Sequence, residues 1–141
     1  MQYVHYGHQQ FDSRFFKPVK NRRYTPKPIG GFWASPVTTR GSKWAELCRK
    51  EGYDGCDLKR SFQFNIPLTG KILRITRVNQ LDALPKSAPD EYGIVYLDFE
   101  ALAKEYDALE VLISEDNRLY YSLFGWDVDT LLVFNPDIII R

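Results

Sequence analysis

Leu97-Asp98-Phe99-Glu100-Ala101-Leu102-Ala103-Lys104-Glu105-Tyr106-Asp107-Ala108-Leu109-Glu110-Val111-Leu112-Ile113 sets a helix signal directly against a strand signal. Asp98 is a good N-cap and Leu97 before it can staple to Leu102. Phe99, Leu102, Ala103 and Tyr106 recur at helical spacing. Residues 109–113 then read as a β-type run. So short a handover suits a fold in which helices interrupt a sheet irregularly, and points to the α+β class.

On the N-terminal side, Gln2–Tyr6 alternates polar with apolar or aromatic residues, and Gly7 ends the run. Residues 8–30 contain Pro18, Pro26 and Pro28 before the Gly30-Gly31 pair, which predicts a long loop with one helical turn near Phe15. Residues 32–35 form a short strand that Pro36 should stop. Ser42 is placed to cap a helix ending near Gly52, with Trp44, Leu47 and Cys48 as its buried stripe. Residues 61–66 and 72–76 flank Leu68-Thr69-Gly70-Lys71 and read as a hairpin. Asn79 should cap a short helix ahead of Pro85.

On the C-terminal side, Glu115-Asp116-Asn117-Arg118 turns the chain into residues 119–124. Residues 130–134 form a last strand, stopped by Asn135-Pro136. Strands outnumber helices without alternating with them, so the sheet is expected to be mostly antiparallel or split. No linker divides residues 1–141, which read as one domain.

The chain has 141 residues, 44% apolar and 26% charged, in the range of globular proteins. It carries no run of about 20 apolar residues and no secretory core, so a cytoplasmic protein with no membrane partner is expected. Residues 1–60 hold 12 Lys/Arg against 5 Asp/Glu, and residues 61–141 hold 7 against 13. No acid lies between Asp12 and Glu46, whereas Arg14, Lys17, Lys20, Arg22, Arg23, Lys27 and Arg40 do. Such a stretch attracts phosphates of a nucleotide or a nucleic acid, or forms a solvated loop balanced by the acidic half.

The phosphate-loop, dinucleotide-fingerprint, zinc-protease and nucleophile-elbow motifs are all missing. Seven residues separate Cys48 from Cys56, and the two histidines are His5 and His8, so no metal site is expected. Cys48 on an apolar helix face reads as a small core residue.

Four segments in order carry a likeness. They are Tyr3-Val4-His5-Tyr6-Gly7, Gly31-Phe32-Trp33-Ala34-Ser35, Tyr106-Asp107-Ala108-Leu109-Glu110-Val111 and the ending from Asp129 to Ile138. Together they resemble an ADP-ribosyltransferase domain of the small bacterial or phage type. The resemblance implies a split antiparallel sheet with a few short helices, and transfer of ADP-ribose from NAD to an unidentified acceptor. It makes Glu110, Ser35 and His5 the catalytic residues, and His5, Tyr6, Gly7, Trp33 and Ser35 the NAD-binding ones. His5 would bond the adenosine ribose, with Gly7 giving the ligand room. Trp33 or Tyr6 would stack nicotinamide, Ser35 would brace the acid or the ribose, and no metal is implied.

Glu115, Asp127 and Asp129 compete with Glu110 as the carboxylate. The chain has no Glu-x-Glu pair, and Ala34 stands where many relatives have Ser or Thr before the serine, so the acceptor stays open. Two alternatives stand beside this. Phe15, Phe16, Arg22, Arg23 and Tyr24 could grip single-stranded nucleic acid in a non-catalytic binding module. An NAD-dependent RNA 2′-phosphotransferase would share the same fold.

Overall fold

Alternation along the chain builds a sheet whose two faces bury different sets of residues. The computed structural model describes residues 2–39 and 41–140; Met1, Arg40 and Arg141, and with Arg40 one of the basic residues named above, lie outside them. The described residues form strands β1 (Gln2–Tyr6), β2 (Phe32–Thr38), β3 (Gly41–Ser42), β4 (Ser61–Asn65), β5 (Ile72–Ile75), β6 (Ala108–Val111) and β7 (Thr130–Val133). Helices α1 (Lys43–Glu51), α2 (Phe99–Glu105) and α3 (Arg118–Ser122) interrupt them, with 3-10 turns between. This is an α+β fold with a mixed, open sheet and few short helices. No helix among the described residues is long and apolar enough to cross a membrane.

The strand order is β4-β1-β2-β7-β6-β5, with β3 paired to β2. Every pairing is antiparallel except β5 with β6. That pair is parallel because the chain passes through α2 between the two strands, the crossover a parallel pair requires.

The helix signals act as local chemistry dictates. The Ser42 hydroxyl accepts from the Ala45 N–H at 3.1 Å, and Gly52 closes α1 at φ +72°. Asp98 caps α2 through the Ala101 N–H at 3.1 Å, and Leu97 and Leu102 are both buried. A 3-10 turn at Ser13–Phe15 supplies the helical turn expected near Phe15. The Asn79 cap is not formed; the 3-10 segment Val78–Ala83 is capped two residues earlier, at Arg77, whose N–H donates to the Gln80 side-chain carbonyl. Helix α3 starts at Arg118, the last residue of the acidic turn, and takes in residues 119–122 of the segment after it. Pro36 lies within β2, opposite Tyr3, instead of stopping it. Proline is tolerated in a strand where the ladder does not need its missing N–H.

The expected hairpin of residues 61–76 does not form. β4 pairs with β1 and β5 with β6, at opposite edges of the sheet. Phe62 and Phe64 turn to the face that carries Tyr3, His5 and Phe32, and that aromatic packing holds β4 beside β1.

The sheet curls strongly. Tyr3 on β1 and Glu110 on β6 are three strand spacings apart, about 14 Å in a flat sheet. Their side chains nevertheless meet at 2.6 Å, so the face they share is concave. Tyr3, Phe32, Ala34, Phe64, Ala108, Leu131 and Val133 fill that concavity. The convex face packs Leu109, Val111 and Leu132 against Phe99, Leu102, Leu119 and Trp126 to form the larger core.

Candidate functional site

Strand pairing decides which of the expected site residues can meet. Glu110 lies opposite Leu131, which lies in the row of Ala34, all facing the concave side with Tyr3 and His5. Val4, Tyr6, Trp33 and Ser35 face the other way. Tyr6, Trp33 and Ser35 there line a cleft of about 260 Å³ with Trp44 of α1, Tyr53 and Cys56.

The polar groups of Trp33, Trp44, Tyr6 and Ser35 are committed to the protein, which leaves ring faces to a ligand. Trp33 Nε1 donates to the Gly30 carbonyl at 3.0 Å, and Trp44 Nε1 donates to Thr130 Oγ1 at 3.2 Å. The Tyr6 hydroxyl shares a 2.8 Å hydrogen bond with Ser42 Oγ, and Ser35 Oγ donates to the Asp129 carbonyl at 3.3 Å. Ser35 is fully buried, so it braces Asp129, the residue before β7. The Lys27 ammonium lies beside two of the cleft's rings, 5.3 Å from the Trp33 ring centre and 5.7 Å from that of Trp44. Burial holds this ammonium below the ordinary lysine pKa, and the charge of Asp127 partly offsets the effect.

Cys48 and Cys56 are free thiols on the same wall. Burial, reinforced by Cys48, pushes the Cys56 thiol up to about 12, far from the thiolate a nucleophile needs near neutral pH. Cys48 is buried, in the core position expected of it.

The four carboxylates weighed from sequence occupy four different settings. Glu110 has no exposed surface; it accepts from the Tyr3 hydroxyl at 2.6 Å and from Arg74 Nε at 2.9 Å. It shares no cleft with Ser35, because adjacent residues of a strand project to opposite faces and the register sets the two apart. Asp129 is buried and accepts both the Ser114 N–H at 2.8 Å and the Ser114 hydroxyl at 2.7 Å. Glu115 is exposed in the 3-10 turn Ile113–Glu115. Asp127 is exposed and lines a groove of about 560 Å³ along α1, and that groove shares Tyr53 with the aromatic cleft. Of the four, Asp127 is the one that lines a groove sharing a residue, Tyr53, with the aromatic cleft.

His5 lies beneath the cleft, on the concave face. Its Nδ1 is 2.7 Å from the Trp33 carbonyl, which can only accept, so Nδ1 carries the proton. Nε2 must then accept from His8 Nδ1, at 3.0 Å. The ring stacks on Phe32 at 4.1 Å, and burial lowers its pKa below the ordinary 6.5. Gly7, at φ +116°, donates to the Arg60 carbonyl at 2.6 Å and accepts from the Arg60 guanidinium.

Part of the basic stretch is neutralised by the fold. Arg14 makes a two-pronged ion pair with Asp12, holding that carboxyl down at about 2, and Arg23 lies 3.8 Å from Glu91. Among the described residues, no group of three or more His, Cys, Asp and Glu is arranged to hold a metal.

Tyr53 escaped the sequence-based assignment, Lys27 was named only as one of the basic stretch, and Trp44 was placed only in a core stripe. The available signals were the bracketing of Lys27 by Pro26 and Pro28 and the position of Trp44 in the first turn of α1. No described family, curated protein or solved structure matches the chain.

Proposed function

We propose that the chain is an NAD-dependent mono-ADP-ribosyltransferase whose convex aromatic cleft takes the nicotinamide end of NAD. One observation carries this: Tyr6, Trp33 and Ser35, three of the residues that the resemblance assigns to NAD, line a single cleft. Trp44 and Tyr53 add two more rings to its walls. Nicotinamide in NAD is planar and cationic, and aromatic faces attract such a ring by stacking and by cation–π interaction.

In the transfer, the bond from the ribose carbon to the nicotinamide nitrogen breaks and its electron pair leaves with the now neutral ring. The acceptor's lone pair makes the new bond to that carbon, and the acceptor proton passes to a carboxylate or to water. Positive charge builds at the ribose on the way, and a nearby carboxylate stabilises it. Asp127 takes that role in place of Glu110, which the Tyr3–Arg74 network occupies. His5 contributes from below by fixing the Trp33 carbonyl. A nucleic-acid module draws less support, since Arg14, Arg23 and the Tyr24 hydroxyl are engaged with Asp12 and Glu91.

The test is incubation with NAD labelled on the adenylate, together with cell lysate, reading both free nicotinamide and transferred label. Asp127→Asn should lower nicotinamide release by about a hundredfold or more with the melting temperature unchanged. Absence of NAD binding at millimolar ligand would remove the basis of the proposal.

A further inference from the structure

Lys27 is held in place more firmly than a loop lysine needs to be. It stands between Pro26 and Pro28, both buried, and its backbone N–H donates to Thr25 Oγ1 at 3.3 Å. The Pro26 carbonyl accepts from Nε1 of the buried Trp126 at 2.8 Å. The lysine stem lies over Gly125, where an added Cβ would sit 3.4 Å from Lys27 Cδ. Two indole rings face the ammonium. Among the described residues, no carboxylate comes within 4.0 Å of Nζ.

A half-buried cation with unclaimed N–H donors is a ready receptor for an anion, and the rings beside it accept a planar group. A ligand that satisfies both carries an aromatic ring and a phosphate. We propose that Lys27 is the phosphate-binding residue of the aromatic cleft and makes it select phosphate-bearing nucleotides over the bare ring. The assignment rests on the cleft being the NAD site, and it names the group of NAD that Lys27 holds, the pyrophosphate. The charge of Asp127 partly offsets the burial that lowers the Lys27 pKa, and the two form no ion pair.

Trp33 and Trp44 provide the readout. Tryptophan fluorescence is titrated with NAD, ADP, inorganic pyrophosphate and nicotinamide, for the wild-type chain, Lys27→Met and Lys27→Arg. Lys27→Met preserves the stem and should weaken NAD binding by about 10- to 100-fold while changing nicotinamide binding less than about twofold. Lys27→Arg should recover most of the loss, and raising salt should weaken the wild type more than Lys27→Met. Equal NAD affinity in a folded Lys27→Met chain would make Lys27 a packing residue and overturn the assignment. Binding of ADP or pyrophosphate, but not NAD, in a Lys27-dependent manner would uphold it while removing the NAD proposal. Failure of every phosphate-bearing probe to bind the wild type would overturn both.

Discussion

His5 Nδ1 donates to the Trp33 carbonyl across 2.7 Å, linking a concave-face imidazole to the backbone of a convex-face ring. His8 completes the relay by donating to His5 Nε2 at 3.0 Å. The two bonds fix one neutral tautomer, and a second proton on His5 would meet the His8 N–H head-on. The cleft wall formed by Trp33 therefore depends on a histidine that does not line the cleft.

That relay makes stability depend on pH in a definite direction. Burial lowers the folded-state pKa of His5 below the ordinary 6.5, so the unfolded chain binds the proton more readily. The His5 contribution is intact above about pH 6.5 and is lost as pH falls from there through the lower folded-state pKa. Melting temperatures between about pH 8 and 5 should show a steeper acid-side fall for the wild type than for His5→Gln. Parallel curves would disprove the relay.

Tyr3→Phe should destabilise the chain by about 1–3 kcal/mol, because it leaves one oxygen of the fully buried Glu110 without its donor. Burial, with the Glu110 carboxylate beside it, also raises the Tyr3 hydroxyl pKa, so the tyrosine remains a donor throughout the neutral range. Glu110→Gln should cost a similar amount by weakening the pair with Arg74, whose side chain is half exposed. Nicotinamide release per folded molecule should survive Glu110→Gln. A variant as stable as wild type but inactive would return Glu110 to the chemistry.

The contrast between Glu110 and the helix caps shows what a sequence reveals. Ser42, Gly52 and Asp98 act on residues three or four positions away, so their roles are legible from neighbours alone. The facing of Glu110 depends on the registers of β1, β2, β7 and β6 together, and a one-residue slip in any of them moves it to the opposite side. No local pattern contains that information. The same holds for β4 and β5, where Gly70 suggested a turn while the long-range packing of Phe62 and Phe64 against Tyr3, His5 and Phe32 decided the pairing. Trp44, Tyr53 and Lys27 converge from three separate segments, which only the assembled fold brings together.

Gly30→Ala and Gly31→Ala should each destabilise by at least about 2–3 kcal/mol. An added Cβ at Gly30 would lie 2.2 Å from the Pro18 carbonyl oxygen, and one at Gly31 would lie 2.5 Å from Leu132 Cδ1. Both residues have φ near +70°, a conformation costly to side chains. Gly52→Ala shares the positive φ but meets nothing within 4 Å, so about 1 kcal/mol is expected there. Urea unfolding of the three variants checks the order. If Gly52→Ala proved the most damaging, close approach would not be the cause.

Asn21 ties the basic loop to α2, and through that loop it helps to position Lys27. Its side-chain amide donates to Asp98 Oδ1 at 2.8 Å, and its carbonyl accepts from the Phe99 N–H at 2.8 Å. Asp98 Oδ1 also caps the helix at Ala101, so the two residues form one reciprocal clasp. Asn21→Ala and Asp98→Ala should each cost about 1–2 kcal/mol, and the double variant less than their sum by roughly 1 kcal/mol. Asn21→Ala should also speed tryptic cleavage at Lys20, Arg22 and Arg23, since the loop loses its attachment while the sheet remains. Strict additivity in urea unfolding, with unchanged proteolysis, would show that loop and helix are held independently.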